Sequence, residues 1–232
     1  MMRLWTETRA ASAAEFALVL PAALLLLFGV IDVGRYVWIL NQYEKAVQLG
    51  ARYAVATQVV ATPLKTADYS LITCPGASGP LKAGDTICAE AMRPLTCTST
   101  ECTCASTPAS GVCSAASGTT FNSAAFDNIV SRMRVASKRI GPSNVLIEYA
   151  GSGIGYLGDP GRTSDCTTST SGGKTVVPPE CQLPDIAPIV TVKLTGLTYR
   201  PITLSLFEDA LVKYPTFSYS LTMEDGDGAV AS

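Results

Sequence analysis

The chain of 232 residues contains no histidine. A Ser-His-Asp triad, a Cys-His pair and every His-ligated metal site are therefore excluded. Charge is scarce as well: Asp, Glu, Lys and Arg make up 16% of the sequence and the formal net charge is −2. No basic cluster of the kind that binds phosphate backbones stands out, which argues against a nucleic-acid partner. Cysteine is missing from residues 1–73. The mean hydropathy is +0.27, apolar for a soluble domain, and the excess sits mainly at the N-terminus.

All eight cysteines lie beyond that point: Cys74, Cys88, Cys97, Cys102, Cys104, Cys113, Cys166 and Cys181. An even count in sequence rich in Ser, Thr, Gly and Pro points to disulfides and an oxidising compartment. Short closures such as Cys74–Cys88 and Cys166–Cys181 are plausible, and the full pairing stays open. Metal binding by Cys97, Cys102, Cys104 and Cys113 is the competing reading. Their spacing lacks the paired Cys-x2-Cys knuckles of structural zinc sites, so no metal and no other cofactor is expected.

Residues 16–31 (FALVLPAALLLLFGVI) carry no charge. Sixteen residues are short for a membrane span, which needs ~20. The stretch from Ala10 to Ile31 is long enough if Glu15 is tolerated. A cleaved secretory signal peptide would need small residues soon after the apolar run. Asp32-Val33-Gly34-Arg35 follows instead. An ordinary signal anchor and a prepilin-type leader remain. A carboxylate at the edge of a hydrocarbon segment costs ~2.5 kcal/mol or more unless it finds a partner or reaches the headgroups. A plain tether gains nothing from it.

The stretch Arg9-Ala10-Ala11-Ser12-Ala13-Ala14-Glu15-Phe16-Ala17-Leu18-Val19-Leu20-Pro21 resembles the start of TadE-like and TadG-like proteins. These are pilin-like components of the tight-adherence (Tad) pilus system. Gly34-Arg35 and Gly50-Ala51-Arg52-Tyr53-Ala54 also follow the family's pattern. The resemblance is close over residues 9–60. It implies cleavage by a prepilin peptidase between Ala10 and Ala11, which makes Glu15 the fifth residue of the mature chain. The family usually carries glycine before the cut, where this chain has Ala10. It further implies that Glu15 pairs with the freed N-terminus of a neighbouring subunit, with Phe16 and Pro21 part of the same assembly motif.

Past Pro21, which is expected to bend or locally unwind the helix, the pattern is regular. Val33, Tyr36, Leu40, Tyr43, Val47, Gly50 and Ala54 alternate steps of three and four, an a/d stripe sustained for three heptads. Asn41, Gln42, Glu44, Lys45, Gln48 and Arg52 occupy the other face. Pro63 is expected to stop the helix after Thr62. The stripe serves packing on the chain's own domain, packing on helices of other subunits, or both. Gly50 and Ala54 suit close approach in either case.

Residues 63–120 have few large apolar residues and no period, and read as a loop-rich, disulfide-stapled insertion. Residues 122–139 read as an amphipathic helix capped by Asn122 or Ser123, with Phe126, Ile129, Val130 and Met133 on its apolar face. Asn144 to Ala150, a stretch within Ile186 to Tyr199, and Thr216 to Met223 read as strands. Gly153-Ile154-Gly155-Tyr156-Leu157-Gly158 satisfies G-x-G-x-x-G, but turn sequence follows where a nucleotide site needs a helix. The acidic Glu224-Asp225-Gly226-Asp227-Gly228 lacks the length of a calcium loop and reads as a tail.

The expectation is an α+β, pilin-like fold: a long N-terminal transmembrane helix on a small antiparallel sheet, with an extra helix and disulfide-rich loops. Its parts are a cytoplasmic leader (1–10), the long helix (11–62, spanning the membrane over about 12–35), the Cys-rich insertion (63–120), an α+β domain outside the cytoplasm (121–224) and a tail (225–232). The resemblance implies a minor pilin or pseudopilin of a Tad-type pilus or secretion apparatus in the inner membrane. Its partners would be the membrane, other pilin-like subunits and a prepilin peptidase, with no small-molecule substrate. It is not expected to be an enzyme. The alternative is an uncleaved, anchored adhesion or binding protein that uses the loop-rich insertion as its active surface.

Overall fold

The computed structural model describes residues 8–65, 69, 72–104, 121–158, 169–171, 174–176, 184–202 and 211–223. One helix, α1, runs unbroken from Thr8 to Ala56, 49 residues with Pro21 inside it. At 1.5 Å per residue that is about 74 Å. The helical assignment continues through Pro21, so the expected local unwinding is not found.

The helix ends earlier than Pro63 would dictate. Thr57 is the first residue outside it, and its hydroxyl donates back to the Tyr53 carbonyl at 2.7 Å. Beyond it Val59, Val60 and Ala61 are buried. The Val60 N–H donates to the Tyr149 hydroxyl (3.0 Å) and its carbonyl accepts from Asn122 N–H (2.8 Å). Tertiary partners thus replace the intrahelical bonds a continued helix would have supplied.

The remaining elements are β1 (Leu95–Cys97), β2 (Cys102–Cys104), α2 (Ser123–Arg134), β3 (Val145–Ala150), β4 (Gly155–Leu157), β5 (Ser169–Ser171), β6 (Lys174–Val176), β7 (Pro184–Ile186), β8 (Ile189–Leu194), β9 (Thr198–Tyr199), β10 (Val212–Lys213) and β11 (Phe217–Thr222). The chain divides into two units. One comprises residues 1–42 and 196–215, the other residues 43–195 and 216–232.

In the larger unit the order β11-β8-β3-β1-β2 forms a five-stranded antiparallel sheet. Alternation decides its faces. Val145, Ile147 and Tyr149 of β3 lie opposite Leu194, Val192 and Val190 of β8, and all six are buried. On the other face Lys193 and Glu148 form an ion pair at 2.6 Å. Gly50 of α1 lies against both α2 and β8: a Cβ there would stand 2.7 Å from Met133 Cγ and 3.3 Å from Val192 Cγ1. The α2 helix buries Phe126, Ile129, Val130 and Met133, the face its sequence predicts, and Asn122 caps it by accepting from Ala125 N–H at 3.1 Å. It stops at Arg134, so Lys138 and Arg139 lie past its end.

The region read as a loop insertion is more than that. Leu81, Ile87, Met92 and Leu95 are buried, and β1 lies inside the sheet, paired with both β2 and β3. Three-residue strands carry too little alternation to be read from sequence. Two disulfides with both partners among the described residues staple the region: Cys74–Cys88, as expected, and Cys97–Cys102, which joins paired residues of β1 and β2. The latter rules out the four-cysteine metal site. Cys104 is disulfide-bonded too. Cys113, Cys166, Cys181, the leader 1–7 and the tail 224–232 lie outside the described residues. Gly153, Gly155 and Gly158 all take positive φ, so the glycine-rich motif is turn geometry around β4. The fold is α+β, with a long apolar N-terminal helix, a small antiparallel sheet and a second helix.

Candidate membrane-anchoring and assembly site

From Phe16 to Trp38 the helix exposes nearly every large apolar side chain: Phe16 at 65%, Leu18 at 81%, Leu26 at 71% and Trp38 at 68%. That band is about 34 Å long, enough for the hydrocarbon core of a bilayer. Ala13–Ala56 is the one described helix long and apolar enough to cross a membrane. Glu15 is exposed one residue before the band begins, and Pro21 is exposed within it. Ala10 and Ala11 lie in the first turns of α1, and their side chains are outside the described residues.

The predicted stripe holds in its C-terminal half. Tyr43, Val47, Gly50 and Ala54 are buried, whereas Tyr36 and Leu40 are half-buried. Val33 departs from it at 64% exposure. A strict heptad drifts by about 20° per repeat around a straight α-helix, and three repeats separate Ala54 from Val33. Asp32, 6% exposed, takes the inward place instead.

Asp32 organises the smaller unit. Its carboxylate accepts from Ile202 N–H at 2.9 Å. The Tyr199 hydroxyl hydrogen is shared between the Asp32 carbonyl at 3.0 Å and Oδ1 at 3.1 Å. Arg35 approaches the same carboxylate at 3.8 Å and lies 5.9 Å from the centre of the Tyr199 ring. Tyr36 stacks on Tyr214 at 4.8 Å and meets Tyr199 edge-on at 5.5 Å. Nothing in the local sequence singles out Asp32, because its partners lie 167 and 170 residues away.

Residues 10–52 match the family model described as TadE-like protein. The N-terminal segment is TadE-like. The match covers the apolar band, Glu15, Asp32 and Gly50, and implies a protein associated with the Tad pilus. With the apolar helix it suggests anchoring in a membrane. TadE-like pilus components are structural proteins rather than enzymes. No curated protein and no solved structure matches the chain. Among the described residues no group of three or more Cys, Asp or Glu is placed to hold a metal ion.

Proposed function

We propose that the chain is a minor pilin or pseudopilin of a Tad-type pilus or secretion apparatus, anchored in the inner membrane with its disulfide-bonded domain on the periplasmic or extracellular side. The observation that carries this reading is Glu15, exposed at the start of an unpartnered apolar helix face inside the TadE-like segment. A charge there is costly in lipid and is offset once it meets an opposite charge. Cleavage between Ala10 and Ala11 would supply that charge as the α-amino group of a neighbour. Phe16 and the exposed band up to Ile31 would then pack against neighbouring helices, while Tyr43, Val47, Gly50 and Ala54 hold the domain to its own helix. Ala10 and Ala11 sit in helical backbone, so a peptidase has to unwind the first turns to reach the bond.

The alternative is a tethered binding protein that uses the loop-rich insertion as its active surface, much of which lies outside the described residues. The deciding experiment is N-terminal sequencing of the membrane-extracted protein together with Glu15→Ala. A chain beginning at Ala11, and loss of the variant from assembled filaments, supports the pilin reading. A chain beginning at Met1 or Met2, with normal assembly of Glu15→Ala, overturns it in favour of the tether.

A further inference from the structure

Residues 196–215 leave the sheet and return to it through the smaller unit, where β9 and β10 pair as a two-stranded ribbon. The depth of this ribbon is fixed by Asp32, since Ile202 N–H and the Tyr199 hydroxyl both bond to it. Asp32 does not mark the end of the apolar band. Val33, Val37 and Trp38 follow it at 64%, 48% and 68% exposure. Trp38 lies six residues further on, about 9 Å along the axis, and beyond it come Asn41, Glu44 and Lys45. A tryptophan between an apolar band and polar residues marks the membrane–water interface. The ribbon is therefore placed below that level, on the lipid side.

We infer that residues 196–202 and 211–215 form a second membrane contact, a foot seated among the lipids of the outer interface beside the spanning helix. Its exposed side chains suit that place: Ile202 at 44%, Leu211 at 60% and Val212 at 38%. Lys213 is exposed on the same ribbon, a cation suited to anionic headgroup phosphates. Non-helical backbone at this depth needs internal partners. Among the described residues, partners come from the β9–β10 pairing, from Tyr214 N–H donating to the Leu197 carbonyl, and from Asp32 accepting from Ile202 N–H. Between foot and helix lies a cavity of about 380 Å³, lined by Asp32 and Tyr199 as well as Gly29, Val33, Tyr36, Pro201 and Val212; the Asp32 carboxylate is tied to Ile202 N–H and the Tyr199 hydroxyl, and the apolar walls admit an acyl chain. The occupant is thus anionic phospholipid, not a second chain. The inference rests on the helix spanning the membrane and is independent of any role in a filament.

The test uses the full chain in vesicles of phosphatidylglycerol and phosphatidylcholine with acyl chains brominated near the headgroup, and no other pilus component. Trp5→Phe leaves Trp38 as the interface reference. Leu211→Trp, and Ser220→Trp as a solvent control on the outward face of β11, are read in a Trp5→Phe, Trp38→Phe background. Trp38, Leu211 and Ser220 are exposed, so changes there spare the core. The Leu211→Trp indole should be quenched within about twofold of Trp38 and far more than Ser220→Trp. Replacing Lys213 with Glu should weaken that quenching only when phosphatidylglycerol is present. Quenching of Leu211→Trp no stronger than the solvent control overturns the foot. Quenching that fades as chains per vesicle increase assigns the surface to a second copy and overturns it as well. An unquenched Trp38 overturns it by removing the depth reference.

Discussion

The Tyr199 hydroxyl bonds both the backbone carbonyl and the carboxylate of Asp32, 167 residues earlier in the chain. One helix residue thereby anchors the β9–β10 ribbon to α1. Removing the carboxylate leaves Ile202 N–H without this acceptor and takes one of two from Tyr199. Asp32→Ala should therefore destabilise residues 198–202 locally by about 1–3 kcal/mol, read as faster amide hydrogen exchange there. Exchange in β3 and β8 should stay unchanged. Asp32→Asn keeps an acceptor and should fall between the two. Unaltered protection at 198–202 in Asp32→Ala would show that the ribbon is held by ring packing alone.

Two glycines should respond in opposite ways to the same substitution. At Gly50 the obstacle is the flexible side chain of Met133. Gly50→Ala also gains helix propensity of about 1 kcal/mol, so its net effect on denaturation should lie within about 1 kcal/mol of zero. Gly50→Leu has no such escape and should cost about 3 kcal/mol. At Gly151 a Cβ would run into the backbone carbonyl of Ala89, which cannot retreat without breaking the bond from Gly151 N–H to the Met92 carbonyl (3.2 Å). Gly151→Ala should cost about 2 kcal/mol or more. Equal losses at Gly50 and Gly151 would contradict the packing described.

What the sequence makes legible is whatever is local. Strands β3, β8 and β11 alternate over six residues each, and α2 buries the four residues its period selects. The apolar band and Glu15 are read directly from composition. The failures share one cause. The inclusion of β1 in the sheet, the end of α1 at Ala56 and the burial of Asp32 each depend on partners far away in sequence, namely β3, Tyr149 and Tyr199. Val33 and Asp32 exchange roles because a heptad stripe and a straight helix differ slightly in period, an error that accumulates with distance from Gly50.

The disulfides make a mapping prediction. Glu101 lies between Cys97 and Cys102, so cleavage after glutamate should yield two peptides that stay joined until reduced. Cys74 and Cys88, 14 residues apart, close a loop worth about 3 kcal/mol. The double substitution Cys74→Ala, Cys88→Ala should lower stability by about that amount. Peptides that separate after Glu101 without reductant would return Cys97 and Cys102 to other partners.

Three buried tyrosines of the larger unit, Tyr43, Tyr69 and Tyr149, have hydroxyls pushed up by burial and bear on its behaviour at alkaline pH. Burial pushes the hydroxyls of Tyr69 and Tyr149 above their ordinary value of 10.0, and in Tyr149 the bond from Val60 N–H works weakly the other way. The folded chain therefore holds these protons more tightly than the unfolded one. By linkage this contributes no pH dependence well below 10.0, and stability falls as pH climbs past that value. Denaturation midpoints should be flat from about pH 7 to 9 and decline above about 10. Tyr69 has no hydrogen-bond partner for its hydroxyl among the described residues, so Tyr69→Phe should be neutral or stabilising at pH 7 and should make the alkaline decline shallower. Tyr149→Phe orphans Val60 N–H and should cost about 1–3 kcal/mol at neutral pH, while also flattening the decline. A Tyr69→Phe variant as destabilised as Tyr149→Phe would mean that the Tyr69 hydroxyl is bonded, and that its burial is offset in the same way.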